Sequence, residues 1–218
     1  MDWSYIPRYL VNPLILEGLF TTIWLSIVSM AIGLIVGFAA ALMRLSKYRP
    51  VHSVSWFYVW FFQGTPLMLQ LIVIYTGLPQ LGLRFDVITC VLVGLGLNEG
   101  AYLAETFRGG IQSVARGQTE ASRALGMTYF TMMRRIILPQ AARVIIPDTG
   151  NRFNGLMKAT SLASVISMEE LLRRTQMISE MNFRILELFT VAMIYYLVLT
   201  TAWGLVQSRL EVHFGKGQ

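Results

Sequence analysis

Long stretches without a charged side chain alternate with short polar and basic stretches along this chain. Residues 18–43 lie uncharged between Glu17 and Arg44, and residues 188–208 are equally free of charge. About 20 apolar residues suffice for a helix to cross the roughly 30 Å of hydrocarbon in a bilayer. The pattern predicts an all-α polytopic membrane protein with about five transmembrane helices, at residues 18–43, 53–83, about 87–107, about 143–167 and 188–208.

The second of these stretches is interrupted twice, at Gly64-Thr65-Pro66 and at Gly77-Leu78-Pro79. We therefore expect one helix with a broken beginning, followed by an outer loop. Pro66 has no backbone N–H, and free backbone groups at membrane depth are tolerated only where they are buried or line a cavity. A helix N-terminus at such a break favours a carboxylate.

Composition agrees with a membrane protein, because 55% of the 218 residues are apolar, 14% are charged and mean hydropathy is +0.55. A soluble domain has roughly 25% charged residues. The net charge of +6 comes from basic residues at the ends of the spans, as the positive-inside rule requires, and no nucleic-acid-binding motif accompanies them. With these clusters in the cytoplasm, five crossings predict an outer N-terminus and an inner C-terminus. The clusters are Arg44, Lys47 and Arg49; Arg108, Arg116, Arg123, Arg134, Arg135 and Arg143; and Arg209 and Lys216.

The chain divides into one membrane domain and two short flanking segments. Residues 1–17 are expected to form a periplasmic or interfacial segment, because they contain aromatic residues suited to headgroup level and lack a cleavable signal-peptide pattern. The transmembrane domain is predicted over 18–208, with a cytoplasmic loop at about 110–142. Residues 209–218 are expected to form a cytoplasmic tail.

The sequence lacks the residue sets of common catalytic and metal sites. Cys90 is the single cysteine, and His52 and His213 are far apart in sequence, so we expect neither a disulfide nor a metal site. Without G-x-x-x-x-G-K-[ST], H-E-x-x-H or G-x-S-x-G, the chain is not expected to hydrolyse ATP or to act as an intramembrane hydrolase. The pattern Gly33-x-x-x-Gly37 predicts close packing of the first helix against a neighbour.

Ionisable residues inside the predicted spans are costly in hydrocarbon and are therefore candidates for function. Glu105 precedes Arg108 by three positions, and a pair on the same helix explains both. Glu99 has no basic residue at helical spacing. It either pairs with Lys158 or Arg152 of the fourth span or contacts a cationic group of a bound solute, and both readings remain open. The fourth span carries a polar seam that indicates a water-accessible interior, at Asn151, Arg152, Asn154, Lys158, Thr160 and Ser161.

The amphipathic stretch at 119–139 lies between strongly apolar segments. Thr119 and Thr128 are expected to cap two short helices joined at Gly126, which readily adopts a positive φ, and Pro139 is expected to end the second helix. Periodicity fits a hairpin lying on the membrane surface as well as a knob that docks on a partner. The predicted apolar stripe consists of Leu125, Met127, Phe130, Met133 and Ile137.

The residue pattern of this stretch resembles the EAA loop of bacterial ABC importer permeases, in which EAA is followed at fixed spacing by Gly and by Ile-x-Leu-Pro. Here these positions are Glu120, Ala121, Ser122, Gly126, Ile136, Leu138 and Pro139, and the serine is the one departure. The similarity covers about residues 15–208 and narrows to the polar-amino-acid branch, which includes importers of histidine, arginine, glutamine, glutamate and cystine. The similar segments are QGTPLMLQL at 63–71, NEGAYLAETFRGGIQSVARGQTEASRALG at 98–126, ILPQAARVIIP at 137–147 and KATSLASVIS at 158–167.

The resemblance implies the type I ABC importer permease fold with cytoplasmic EAA coupling helices, in a subunit that moves polar amino acids inward by alternating access. It implies three protein partners: a dimer of ATP-binding subunits, a second permease chain that is identical or paralogous, and a periplasmic or lipid-anchored amino-acid-binding protein. ATP and Mg²⁺ would reside on the ATPase, and this chain would bind no cofactor and no nucleic acid. The expected location, in contact with membrane lipid, is the bacterial cytoplasmic (inner) membrane. The alternative is a secondary transporter or channel for small polar solutes that is not driven by ATP.

The expected substrate site lies between the break in the second span and the polar positions of the third and fourth. The substrate-binding residues expected from this placement are Thr65, Gln70, Asn98, Glu99, Tyr102, Lys158, Thr160 and Ser161. The expected ATPase-coupling residues are Glu120, Ala121, Leu125, Gly126, Met127, Phe130, Arg134, Ile136, Leu138 and Pro139. Two positions depart from the family, Gln63 in place of Arg and Ala159 in place of Asp, so either a charge pair is absent or the partner permease differs.

Overall fold

The computed structural model describes residues 3–215, with the side chains of residues 4–212, and this part of the chain is helical without a strand. The side chain of His213 and the whole of Lys216 lie outside it. The α-helices are α1 (Ile6–Leu10), α2 (Pro13–Leu45), α3 (Arg49–Gly64), α4 (Leu67–Ile72), α5 (Val87–Ser113), α6 (Arg116–Ala124), α7 (Tyr129–Met132), α8 (Leu138–Ala159), α9 (Leu171–Asn182) and α10 (Ile185–Gly215). Short 3-10 or π-helical turns occupy Trp3–Tyr5, Val73–Gly77, Leu78–Leu81, Met133–Ile137 and Thr160–Ile166.

Among the described residues, α2, α5 and α10 are long and apolar enough to cross a membrane, and α3 together with Leu67–Leu81, the segment that begins with α4, would make a fourth span. This pair is bent by 105° at Gly64-Thr65-Pro66. The predicted break at Gly64-Thr65-Pro66 is confirmed, but the expectation that it marks the beginning of the second helix is wrong. A full helix precedes the break, because Pro50 suits the first turn of α3 and an apolar aromatic run follows it.

The predicted fourth span corresponds to α8, which is not apolar enough to be counted with these membrane-crossing helices. It begins at Leu138, passes through Pro147 and continues into the 3-10 turn at Thr160–Ile166. The count of five spans thus stays a prediction. The spans are also longer than expected. Asn12 caps α2 by accepting from Leu14 N at 3.0 Å, and the predicted tail is helical as far as Gly215.

Glycines bring α2 and α5 into close contact. A Cβ added to Gly37 would lie 2.7 Å from Leu103 Cβ and 2.8 Å from the Gly100 carbonyl oxygen. A Cβ added to Gly33 would lie 3.1 Å from Glu99 Cβ. The predicted close packing at Gly33 and Gly37 is confirmed, because α5 lies where the side chains of larger residues would be.

The loop between α5 and α8 has the predicted glycine turn but different helix limits. Gly126 has φ of +72°, and Thr128 caps α7 by accepting from Thr131 N at 3.3 Å. The predicted cap at Thr119 is wrong, because α6 begins at Arg116, one turn earlier.

The predicted helix end at Pro139 is also wrong, since the helical path continues from the π turn at Met133–Ile137 directly into α8. A π turn widens the helix ahead of the proline ring, and the Gln140 side chain donates to the Ile136 carbonyl oxygen at 2.9 Å.

A fully buried carboxylate fastens α9 to α2 and α10. Glu170 caps α9 by accepting from Leu172 N at 3.0 Å and Arg173 N at 2.8 Å. It also accepts from the hydroxyls of Tyr196 at 3.0 Å and Thr22 at 3.5 Å. Sequence reasoning missed this residue because its partners on α2 and α10 are far away along the chain.

Candidate functional site

A polar cavity of about 490 Å³ lies between α4, α5 and α8. Its walls combine apolar side chains with amide, carboxylate and guanidinium groups, an unusual lining beside helices that are apolar enough to cross a membrane. The lining residues are Leu67 of α4; Leu95, Asn98, Glu99 and Tyr102 of α5; and Asp148, Asn151, Arg152, Gly155, Leu156 and Ala159 of α8.

An ion pair between α5 and α8 forms the centre of this cavity. Arg152 Nε donates to Glu99 Oε1 at 2.5 Å, and Arg152 Nη2 donates to Glu99 Oε2 at 3.1 Å. The guanidinium carbon lies 4.1 Å from the centre of the Tyr102 ring. Glu99 is buried, with 5% of its side chain exposed, whereas Arg152 retains 26% exposure. The pair and the ring hold the guanidinium in one orientation, and its Nη1 makes no hydrogen bond within the described residues.

Two further polar residues of α8 face the same space. Asp148 Oδ2 accepts from Thr106 Oγ1 at 2.5 Å, and Asn151 Oδ1 accepts from Gln207 Nε2 at 2.7 Å. These bonds leave the second oxygen of Asp148 as an acceptor and the amide nitrogen of Asn151 as a donor. The cavity therefore offers donors for a carboxylate and an acceptor for an ammonium group.

The residues predicted at the break hold the broken helix together. Gln70 Nε2 donates to the carbonyl oxygens of Phe62 and Thr65, both at 3.0 Å, and to Thr65 Oγ1 at 2.8 Å. Asn98 Nδ2 donates to the Phe62 carbonyl oxygen and to Gln70 Oε1, both at 3.1 Å. Gln63, the first departure from the family, donates to the Ala101 carbonyl oxygen at 3.1 Å. The amides of Gln70 and Asn98 satisfy carbonyl groups that the break releases, whereas that of Gln63 ties α3 to α5.

The predicted residues at the end of α8 lie outside the cavity. Lys158 is exposed, so the partner of Glu99 is Arg152 and not Lys158. The hydroxyl of Thr160 donates to the Met157 carbonyl oxygen at 2.8 Å, and that of Ser161 donates to the Lys158 carbonyl oxygen at 2.7 Å. The structure thus brings Asn98, Glu99 and Tyr102 of the predicted set into the cavity and connects Thr65 and Gln70 to it through Asn98.

Sequence reasoning did not place Asp148 and Asn151 in the site, although a signal for them exists. Asp148, Asn151, Arg152, Gly155 and Ala159 recur at three- and four-residue spacing, which places them on one face of a helix. The predicted polar seam included Asn151 and Arg152, but the substrate site was assigned to the far end of the span, at Lys158, Thr160 and Ser161.

The EAA hairpin, residues 116–139, exposes much of the predicted coupling set. Leu125 is 80% exposed and Phe130 is 72% exposed, whereas Ile137 of the predicted stripe is buried. Glu120, Ala121, Arg134 and Pro139 are exposed, and Met127, Ile136 and Leu138 are partly exposed. Ser122, which replaces the second alanine, is buried and donates to the Gln118 carbonyl oxygen at 2.6 Å. The alanine position therefore tolerates a hydroxyl that bonds within its own helix.

A charge cluster connects α2 to the end of α5 that leads into this hairpin. Glu105 Oε2 accepts from Arg108 Nη2 at 2.6 Å, which confirms the predicted pair at i,i+3 spacing. Glu105 Oε1 also lies 3.1 Å from Arg44 Nη2 of α2, a contact that sequence spacing could not indicate.

A helical bundle with membrane-crossing helices, a polar cavity between them and an exposed amphipathic hairpin defines a membrane transport subunit. Residues 33–214 match the family described as binding-protein-dependent transport system inner membrane component, and the chain belongs to this family. It is thus a multi-pass inner-membrane transport subunit and not an enzyme.

Relatives with assigned names cover nearly all of the chain. The arginine transport system permease protein ArgU of Corynebacterium glutamicum is 39% identical, across 99% of this chain and 72% of that protein. The glutamine transport system permease protein GlnP of Escherichia coli K12 is 36% identical, across 96% of each chain. A crystal structure of an amino acid ABC transporter with histidines is 36% identical and superimposes with a TM-score of 0.92, across 98% of this chain and 99% of that one. The methionine transporter MetNI, at 17% identity and a TM-score of 0.78, shares the fold. The prediction of the all-α type I ABC importer fold is confirmed.

Proposed function

We propose that this chain is the permease subunit of an ATP-driven importer that moves polar amino acids inward through the cavity between α5 and α8. The observation that carries the proposal is the juxtaposition in this cavity of the Glu99–Arg152 pair with the free acceptor of Asp148 and the free donor of Asn151. Charged side chains at membrane depth are costly and mark solute pathways. A volume of about 490 Å³ lies within the usual range for small-molecule sites.

An amino acid brings one carboxylate and one ammonium group. Arg152 Nη1 and Asn151 Nδ2 supply donors for the carboxylate, and Asp148 Oδ1 supplies an acceptor for the ammonium group. Glu99 acts as a positioning residue, because both of its oxygens hold Arg152. The relatives named for arginine and glutamine support a polar amino acid as the substrate class.

The energy would come from outside this chain. The proposed partners are two ATP-binding subunits that hold ATP and Mg²⁺, a second permease chain and an amino-acid-binding protein. The exposed surface of the EAA hairpin around Leu125 and Phe130 would dock on the ATPase, and its movement would switch the bundle between inward- and outward-open states. This arrangement requires an outer N-terminus and an inner C-terminus, with residues 1–17 outside and the loop at about 110–142 inside.

The test is uptake by the assembled transporter in vesicles. The chain is reconstituted with its ATPase and binding protein, and entry of radiolabelled arginine, glutamine and leucine is measured with and without internal ATP. We expect ATP-dependent uptake of the polar amino acids over leucine. Uptake by the permease alone, without ATP or the ATPase, would instead identify a secondary transporter or channel.

A further inference from the structure

A second, apolar cavity lies on the opposite side of α8 from the polar one. Spaces of about 550 Å³ and about 330 Å³ share Ile27, Phe153 and Trp203 and join along the seam between α2, α8 and α10. Apart from the Thr149 hydroxyl, the side chains that line them are apolar. We call this combined space the apolar trough.

The floor of the trough is fixed by one hydrogen bond and one ring contact. Trp203 Nε1 donates to the Gly150 carbonyl oxygen at 2.8 Å. The rings of Phe153 and Trp203 meet edge to face, with centroids 4.5 Å apart. The space is therefore a defined groove with a rigid aromatic wall and not a gap between mobile side chains.

The length of the trough fits a hydrocarbon chain. Its lining on α2 extends from Ile23 to Leu34, which at 1.5 Å per residue is about 16 Å. The hydrocarbon region of a bilayer is roughly 30 Å thick, so the trough spans about one leaflet. Most of the apolar part of α10 is exposed in this chain, and Leu205 and Val206 beside the trough are among its exposed residues. An exposed apolar helix surface of this kind is suited to contact with lipid.

Basic side chains lie where the trough ends. Ile145 and Leu210 line that end, and Arg143 and Arg209, close to them along α8 and α10, are exposed and form no ion pair within the described residues. The acidic residue nearby on α10, Glu211, accepts a hydrogen bond from Gln207 Nε2 at 2.8 Å. An apolar groove with a cationic end is complementary to an acyl chain with an anionic headgroup.

We propose that the apolar trough is a binding site for an anionic phospholipid, with one acyl chain against Phe153 and Trp203 and the phosphate near Arg143 and Arg209. This site is independent of the proposed solute cavity, because none of the lining residues is shared. The bound acyl chain fills the seam and packs between α10 and α8, on the face of α8 that does not line the polar cavity.

Tryptophan fluorescence tests the acyl-chain part of this proposal. The assembled transporter is placed in phosphatidylcholine vesicles that contain a fixed fraction of either brominated phosphatidylglycerol or brominated phosphatidylcholine. The contribution of Trp203 is the difference between the native chain and Trp203→Phe. We expect the brominated anionic lipid to quench this contribution more strongly than the brominated zwitterionic lipid. Equal quenching by the two lipids, or none by either, would overturn the proposal, and absence of quenching would mean that protein covers the trough.

A second variant does not depend on the Trp203 hydrogen bond. Ala31→Phe places a ring in the trough and should reduce the quenching of Trp203 by brominated phosphatidylglycerol. Ala39→Phe is the matched control, since Ala39 is exposed on the same helix and does not line the trough. Quenching that is insensitive to Ala31→Phe would place the lipid elsewhere.

The headgroup part is tested by charge removal. The double variant Arg143→Gln, Arg209→Gln should lose the preference for phosphatidylglycerol by about fivefold for each arginine. Arg84→Gln, an exposed arginine in the segment before α5, should retain it. An unchanged preference in the double variant would remove the two arginines from the site.

Discussion

The two sides of α8 show how one helix serves two different environments. Its polar side presents Asp148, Asn151 and Arg152 to the cavity against α5. Its apolar side presents Ile146 and Phe153 to the trough against α2 and α10. Four charged residues make α8 less apolar than α2, α5 and α10: Arg143, Asp148, Arg152 and Lys158. Two of these charged residues, Asp148 and Arg152, line the polar cavity, so the low hydropathy of this helix is compatible with a membrane position.

The two sides also differ in how their side chains are held. On the cavity side, side-chain hydrogen bonds cross to α5 and α10 through Glu99, Thr106 and Gln207. On the trough side, the single such bond among the lining residues that the structure describes joins Trp203 to Gly150, and the remaining contacts are packing. Substitutions on the first side should act through charge, and those on the second through shape.

The largest expected effect comes from removing the cation of the cavity. Arg152→Met leaves the buried carboxylate of Glu99 without its partner, which should lower the free energy of unfolding by about 3 kcal/mol or more. The double variant Arg152→Met, Glu99→Met removes both charges and should recover most of this loss. Thermal unfolding of the purified transporter measures both.

Phe153→Ala on the opposite side of α8 is the control for this prediction. Phe153 is half-buried, so its removal should cost a smaller amount, about 1–2 kcal/mol, and Glu99→Met should not rescue it. If the double variant at the cavity is no more stable than Arg152→Met alone, the pair is not what makes the two sides different.

A smaller effect is expected from straining the backbone of the EAA hairpin. It should change transport through the polar cavity and leave the apolar trough unaffected. Gly126 has φ of +72° and open space around it, so Gly126→Val adds no clash but forces a branched residue into the left-handed region at about 1–2 kcal/mol. We expect ATP hydrolysis to become uncoupled from uptake through the cavity, while lipid quenching of Trp203 stays unchanged.

Gly109→Val is the matched control, since Gly109 also has open space around it and does not have a positive φ. It should transport normally. Normal coupling in Gly126→Val, in a variant that still assembles with the ATPase, would show that the hairpin does not connect ATP hydrolysis to the cavity.

Part of this architecture could be predicted from the sequence. Uncharged stretches identify the helices, the Gly33–Gly37 spacing identifies their close packing, and the EAA pattern identifies the hairpin. These features depend on local sequence patterns and on the bilayer. Spacing also assigned Glu105 to Arg108. The partner of Glu99 remained open between Lys158, Arg152 and a cationic group of a bound solute, because a contact between helices depends on their rotation and depth, which composition does not determine.

Other features needed the folded bundle for a similar reason. Gln70 and Asn98 were predicted as substrate ligands, yet both donate to carbonyl groups at the break, a role that the missing N–H of Pro66 required of some side chain. The helix continues through Pro139 because a π turn precedes it, and single residues do not reveal π turns. Glu170 was missed because its partners come from three helices.

The finest distinction concerns Glu99 itself, which either positions Arg152 for a substrate or merely neutralises it. Glu99→Gln retains the shape and one acceptor oxygen but removes the charge, so Arg152 loses the carboxylate that is paired with it. Two charges about 4 Å apart interact by about 1 kcal/mol even in water, so uptake of arginine relative to glutamine should fall by about fivefold or more. Competition uptake with both amino acids in the assembled transporter measures this ratio. Glu105→Gln is the matched control, since Glu105 lies on the same helix as Glu99 and is paired with Arg108 and Arg44 but does not line the cavity. An unchanged ratio with lower thermal stability would reduce Glu99 to a structural partner, and α8 would then differ between its two sides in packing alone.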